Sequence, residues 1–230
     1  MSGIPIPEDL RASHRSWGDA ILDEMEAALL EAVNGDLAVR RDNKKLAAAI
    51  RNNQELKYLA FWTGYNTQPV LDSIVTITSI ERLAFGYLRA KDISGLANLK
   101  RLEYLSITSL SSATTLKPLT NLENLVSLGL GISEKISSLD DFTENSMHSL
   151  RALHLGESGE RVITVDSLEP LGALPTLEYV AIGRLRAKDS SLAGFLELPK
   201  LKALQLDKNA RFPESDIESL RSKGVVVSFF

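Results

Sequence analysis

Histidine and carboxylate side chains are the residues of this sequence best suited to acid–base chemistry. The chain has three histidines and no cysteine. His154 and Glu157 lie near each other in the sequence, but no serine stands in a nucleophile elbow close to them. The histidines show no HExxH spacing and no cysteine accompanies them, so we expect no metal site. An enzymatic site near His154 and Glu157 is therefore the alternative interpretation, and the leading one is non-enzymatic.

Composition and charge exclude several classes of protein. Of the 230 residues, 44% are hydrophobic and 24% charged, with a net charge of −4. We therefore expect neither a disordered chain nor a nucleic-acid protein held by a basic face. No apolar run of about 18 residues and no secretory signal are present, so we expect no contact with a membrane. The lack of cysteine fits a cytoplasmic location. The sequence has no nucleotide-binding glycine motif, so we expect no cofactor.

Leucine supplies the clearest pattern, since 38 of the 230 residues are leucine. Seven segments carry apolar residues at relative positions 1, 4 and 6, and they follow one another at intervals of 22 to 27 residues. These segments begin at Leu56, Ile80, Leu102, Leu125, Leu150, Leu177 and Leu201. Positions 4 and 6 are two residues apart, which is the strand period. Each segment therefore predicts a short strand whose positions 4 and 6 enter the core.

A second pattern, with a period of three, fills the chain between these strands. Ile93, Leu96 and Leu99 show it, and Pro118 and Pro170 interrupt the equivalent stretches further along. A period of three predicts a 3₁₀ turn or short helix, and the prolines exclude a long regular one. A single strand with its return cannot close a core. Stacked copies can, and their strands then form one parallel sheet.

The repeats resemble the leucine-rich repeat family, particularly its short-repeat, internalin-like bacterial branch. The segment LKPLTNLENL at residues 116–125 carries the resemblance, which covers residues 36–230. It implies an α/β fold, a right-handed solenoid with one parallel sheet of about eight strands. The family usually has asparagine three residues after position 6, and here only Asn209 matches. Residues 88–92 and 185–189 are both LRAKD, consistent with duplication of a repeat.

The two ends of the repeat array differ from its middle. Residues 1–35 are interpreted as an N-terminal helical cap, continuous with the solenoid, because apolar residues recur at helical spacing over 16–34. Residues 43–53 suit a short second helix. Residues 225–230 predict a final strand with one neighbour, so we expect a monomer or a weak dimer through that strand.

Outward positions of the predicted sheet are positions 3, 5 and 7 of each copy. Most are small, and large side chains occur only at particular points. Tyrosine and tryptophan offer large contact areas and are enriched in binding hot spots. Including residues at the strand edges, the side chains predicted to contact a partner are Tyr58, Trp62, Arg82, Tyr87, Tyr104, Thr108, His154, Glu157, Tyr179, Arg184, Gln205 and Asp207.

The resemblance implies a non-enzymatic module that binds a protein or peptide on the strand face. Such a module can serve as an adaptor, or as an antitoxin or immunity protein that masks another protein. Two further alternatives stay open: side chains on this face that only stabilise the sheet, and a structural unit of a longer secreted or injected protein. The polar insert at residues 156–166 is either a binding loop or drift in repeat length, and residues 162–165 suit a short strand.

Overall fold

The computed structural model describes residues 57–144, 146–156 and 162–229, without the side chains of residues 58, 60 and 62–65. The predicted cap at residues 1–35 and the helices predicted at 16–34 and 43–53 lie outside the described residues. Within the described ranges no helix is long and apolar enough to cross a membrane.

Eight parallel strands form the main sheet, as the repeat pattern predicts. Their bounds are β1 (Tyr58–Asn66), β2 (Arg82–Leu88), β3 (Tyr104–Leu110), β4 (Ser127–Gly131), β5 (Ala152–Gly156), β7 (Tyr179–Gly183), β9 (Ala203–Leu206) and β10 (Val226–Phe229). Each strand lies beside the strand of the next repeat, in the order of the sequence. The sheet therefore grows by one strand per repeat, which is the arrangement of a solenoid.

The core is a stack of equivalent apolar side chains. At position 4 of the repeat, Leu105, Leu128, Leu153, Val180 and Leu204 are paired in register across neighbouring strands, and each is at most 2% exposed. The predicted register is therefore confirmed. A slip of one residue would turn this whole column to the opposite face of the sheet.

Backbone hydrogen bonds repeat in the same way where the strands begin. The carbonyl of Glu103 accepts from the amides of Val126 at 2.8 Å and Ser127 at 3.1 Å. Two repeats later, the carbonyl of Arg151 accepts from the amides of Glu178 at 2.8 Å and Tyr179 at 3.0 Å. Position 2 of each repeat thus fixes the start of the next strand and keeps its polar backbone groups satisfied.

Short helical segments return the chain from one strand to the next, as the period of three predicts. They are α1 (Gln68–Ile74), the 3₁₀ segments Ser94–Asn98, Lys117–Asn121 and Glu169–Ala173, and α2 (Ala193–Leu196). Neighbouring returns pack very closely. A Cβ atom added to Gly172 would lie 2.4 Å from the carbonyl oxygen of Gly194, so both positions require glycine.

Two further features complete the fold near the C-terminal repeats. β6 (Ile163–Val165) and β8 (Leu185–Ala187) pair in parallel as a separate two-stranded sheet, so the short strand predicted within 162–165 is confirmed. The return before β10 is a true helix, α3 (Glu214–Ser222), which buries Ile217 and Leu220. Acidic residues in its first turn and Arg221 in its last complement the helix dipole.

Candidate functional site

The candidate site is the inner face, which we define as the side of the main sheet opposite the core, formed by positions 3, 5 and 7 of the repeats. At position 3, Tyr104, Ser127, Ala152 and Tyr179 are neighbours in register. Strand spacing therefore separates the two tyrosines by roughly 15 Å. Both tyrosine side chains are half-buried, whereas Ser127 and Ala152 between them are buried. The tyrosines thus border a floor of small residues.

His154 stands within this floor at position 5. Its neighbours in register are Gly129 and Ala181, both buried, so no large side chain covers the imidazole from either side and it is exposed. The broad protein surface around the ring still removes part of its hydration, and this desolvation lowers the pKa of His154. The imidazole is therefore an uncharged donor and acceptor at neutral pH.

Small residues at the end of the floor are explained by packing of the sheet itself. A Cβ atom on Gly131 would lie 1.9 Å from the carbonyl oxygen of Thr108. One on Gly156 would lie 2.0 Å from the carbonyl oxygen of Gly183. These two glycines are required by the close approach of neighbouring strand ends, whatever the inner face binds.

A cation covers each of the two tyrosine rings. The guanidinium carbon of Arg82 lies 4.5 Å from the ring centroid of Tyr104, and Nζ of Lys202 lies 5.8 Å from that of Tyr179. Such contacts are worth about 0.5–1 kcal/mol at exposed sites. They hold both rings in place before any partner binds, which reduces the conformational entropy lost on binding.

Lys202 is itself held by a buried carboxylate. Glu178 accepts from Nε of Arg151 at 2.7 Å and from Nζ of Lys202 at 2.6 Å, although its side chain is only 11% exposed. The hydrogen bond from Arg151, opposed by burial and helped by Lys202, lowers the pKa of Glu178 to about 2. The hydrogen bond to Glu178 in turn raises the pKa of Lys202. One charged network therefore links three repeats beside Tyr179.

Sequence reasoning missed this network, although a signal was present. Arg151, Glu178 and Lys202 all occupy position 2 of consecutive repeats. In a register-matched parallel sheet, equivalent positions become neighbours. Alternating charges at position 2 could therefore have been read as an ion-pair ladder along the edge of the inner face.

The remaining predicted contact residues fall into several groups. Thr108 and Tyr87 are exposed, and Gln205 is half-buried on the inner face. Arg184 is exposed just after β7, with a positive φ of 49°. The side chains of Tyr58 and Trp62, and the whole of Glu157, lie outside the described residues.

Asp207 differs from its expected placement. The repeat pattern puts it outward at position 7, but β9 ends at Leu206 and Asp207 is only 7% exposed. Its carboxylate accepts from the amide of Arg184 at 3.2 Å and from the amide of Asn209 at 2.7 Å. The prediction of an exposed contact is thus corrected, because the chain leaves the sheet one residue early and Asp207 holds the loops.

The alternative of an enzymatic site near His154 and Glu157 stays a prediction, because Glu157 lies outside the described residues. Within the described residues, no group of three or more metal-ligating side chains is close enough to hold an ion.

Sequence comparisons give no relative. No protein-family model matches the chain, and no curated protein sequence is significantly similar to it.

Structural comparisons, in contrast, give many similar folds. Internalin C2 from Listeria monocytogenes is 21% identical, with a TM-score of 0.58 over 91% of this chain and 84% of the internalin chain. An internalin F from the same organism has a TM-score of 0.50 at 19% identity, covering 91% of this chain and 68% of its own. A leucine-rich-repeat protein from Leptospira interrogans has a TM-score of 0.51 at 20% identity, covering 79% of this chain and 50% of the Leptospira chain. The chain therefore has the leucine-rich-repeat fold, in a short-repeat form similar to that of internalins.

Proposed function

We propose that the protein is a non-enzymatic interaction module that binds a protein or peptide on its inner face. The observation that carries this proposal is the pair of tyrosines, Tyr104 and Tyr179, each held by a cation at the border of a floor of small residues. Aromatic side chains with restricted motion beside open space are typical of binding hot spots. The similar leucine-rich-repeat structures support an interaction role by analogy of fold.

The size of this surface favours a macromolecular partner over a metabolite. The tyrosines are roughly 15 Å apart across an open sheet, whereas small-molecule sites are clefts that enclose most of the ligand. A protein segment lying across the strands would contact both rings and His154 together. Adaptor and masking roles both require such a contact, and identification of the partner would separate them.

The test begins with the partner, captured on the tagged protein from its native organism and identified by mass spectrometry. The purified partner is then titrated calorimetrically against wild type, Tyr104→Ala and Tyr179→Ala. We expect each substitution to weaken binding by roughly 30-fold, the effect of losing about 2 kcal/mol at a hot spot. The melting temperature should change by only a few degrees, since both rings lie outside the core.

Lys117→Ala is the control, because it truncates an exposed side chain on a return segment, away from the inner face. It should weaken binding much less than the two substitutions above. Normal binding by both Tyr104→Ala and Tyr179→Ala, with loss of binding on substitution within the 156–166 insert, would instead place the site on that loop.

A further inference from the structure

A second surface, separate from the inner face, lies where the loops after β7 and β9 meet. It is a half-open hollow of about 720 Å³ lined by Arg186, Ser190, Lys208, Asn209 and Arg211. Three of these five side chains are cationic and the other two are neutral hydrogen-bonding groups. No acidic side chain lines the hollow in the part of the chain that the structure describes.

The described carboxylates near the hollow have other hydrogen-bond or ion-pair partners. Asp207 is buried and accepts from the backbone of Arg184 and Asn209. Asp189 accepts from the amide of Ser191 at 3.1 Å, and Asp166 is paired with Lys188 at 2.6 Å. Across residues 57–144, 146–156 and 162–229, no ion pair involves Arg186, Lys208 or Arg211. Three cations without an ion-pair partner among the described residues therefore line one hollow, in a protein whose net charge is −4.

The backbone is held at Arg186 on one wall of the hollow and at Asn209 on the other, while the cationic side chains are exposed. Arg186 lies in β8 between buried Leu185 and Ala187 and is paired with Thr164 of β6. Asn209 is held on the other wall, because both its amide and its Nδ2 donate to Oδ1 of Asp207, at 2.7 and 3.0 Å. The walls of the hollow are thus set before a ligand arrives, which favours binding.

From this arrangement we infer that the hollow binds an anionic protein segment, one that carries several carboxylates or phosphates. The hollow is far larger than one carboxylate or phosphate group, and its charges are spread over β8 and the loop after β9. A segment with several negative charges would pair with all three cations through charge-assisted hydrogen bonds. The inference rests on the proposed function only in taking the ligand to be part of a protein.

The experiment measures fluorescence anisotropy of three labelled peptides of equal length on the full chain. One is hexaglutamate, one carries phosphoserines, and the third is hexaglutamine. We expect the first two to bind, with affinity falling as NaCl is raised, and the third not to bind. The ratio of the first two affinities tells whether carboxylate or phosphate is the preferred anion.

Three single substitutions, Arg186→Gln, Lys208→Gln and Arg211→Gln, locate the site. Each should lower the affinity for the anionic peptides at least about fivefold, as expected for loss of one charge-assisted contact. Arg89→Gln is the matched control, since Arg89 has the place of Arg186 in the other LRAKD pentapeptide and is exposed. It removes the same charge far along the solenoid and should change the affinity less than twofold.

Three results would overturn the inference: no binding of either anionic peptide, equal binding of hexaglutamine, or equal weakening by Arg89→Gln and Arg186→Gln. Tyr104→Ala and Tyr179→Ala separate this site from the inner face. They should leave peptide affinity unchanged, and loss of peptide binding in those variants would move the anionic segment to the inner face. If the captured partner binds those variants normally, the proposed function is contradicted and the inference about the hollow is unaffected.

Discussion

Glu178 shows how a single polar residue can join several repeats. Its carboxylate is nearly buried, yet both oxygens are bonded: Arg151 donates from Nε and Nη2, and Lys202 donates from Nζ. A buried charge without partners would be strongly destabilising, whereas this one is paired on both sides. The folded state therefore favours the ionised form, which makes this part of the solenoid sensitive to acid.

Glu178→Gln tests this sensitivity. The pKa of Glu178 falls from an ordinary 4.5 to about 2 on folding, so ionisation stabilises the fold above pH 4.5 and this contribution is lost between pH 4.5 and pH 2. We expect the variant to be less stable than wild type by about 1 kcal/mol at pH 7, a modest value because Arg151 and Lys202 are partly exposed. Urea denaturation from pH 7 to pH 2 should show the difference shrinking below pH 4.5.

Glu123→Gln is the control, since Glu123 is exposed and takes part in no ion pair among the described residues. The difference in free energy of unfolding between this variant and wild type should stay near zero from pH 7 to pH 2. A Glu178→Gln difference that is as large at pH 2 as at pH 7 would mean that Glu178 acts through packing and not through its charge.

At the residue scale, sequence alone predicts positions better than contacts. The period of two places Leu128 in the core and Tyr104 on the inner face, because both follow from strand geometry. The stacking of Arg82 on Tyr104 depends on side-chain conformation, which no period encodes. Asp207 was misplaced because its strand ends at Leu206. The cationic hollow brings Arg186 of β8 together with Arg211 of the loop after β9, so no local pattern could reveal it.

At the scale of elements, the sequence predicts where the helical segments between strands lie. It does not predict whether each segment is a 3₁₀ helix or an α-helix. Apolar residues every third position mark both the 3₁₀ segment Lys117–Asn121 and the α-helix α3, where Ile217 and Leu220 are also three apart. The two repeats have the same length, because 23 residues separate both Tyr104 from Ser127 and Ala203 from Val226. A proline also stands at the start of each segment, so neither repeat length nor proline predicts which type of helix forms.

β10 lies at one end of the main sheet. It pairs with β9 on one side, and no described strand pairs with its other edge. Val226 and Phe229 are 59% and 42% exposed. Exposed apolar residues on an unpaired edge favour strand-to-strand association, so the weak dimer stays a prediction.

Val226→Lys should abolish that association, because a lysine on an edge strand opposes pairing with a second chain. Sedimentation velocity over a wide concentration range should show a concentration-dependent increase in mass for wild type and a monomer for the variant. Val162→Lys changes a similarly exposed valine far from the edge and should leave the association unchanged. A wild type that stays monomeric at the highest concentration would contradict the predicted dimer.

At the scale of the whole molecule, stability is a sum over neighbouring repeats. Each strand of the main sheet pairs only with the strands before and after it, and the core column runs through all of them. Solenoids of this kind open locally, with a free energy that depends on how many neighbours support each repeat. An interior repeat should therefore open less often than one supported from one side.

Hydrogen exchange can measure this difference on two equivalent amides. The amide of Ala152 donates to the carbonyl of Val126 at 3.1 Å, and that of Val226 donates to the carbonyl of Lys202 at 2.9 Å. Both occupy position 3 and make the same bond, but β5 has a strand on each side and β10 has one. We expect the Ala152 amide to exchange at least about tenfold more slowly under native conditions. Equal protection of the two amides would show that the solenoid opens as one cooperative unit, and nearest-neighbour support would then not set its local stability.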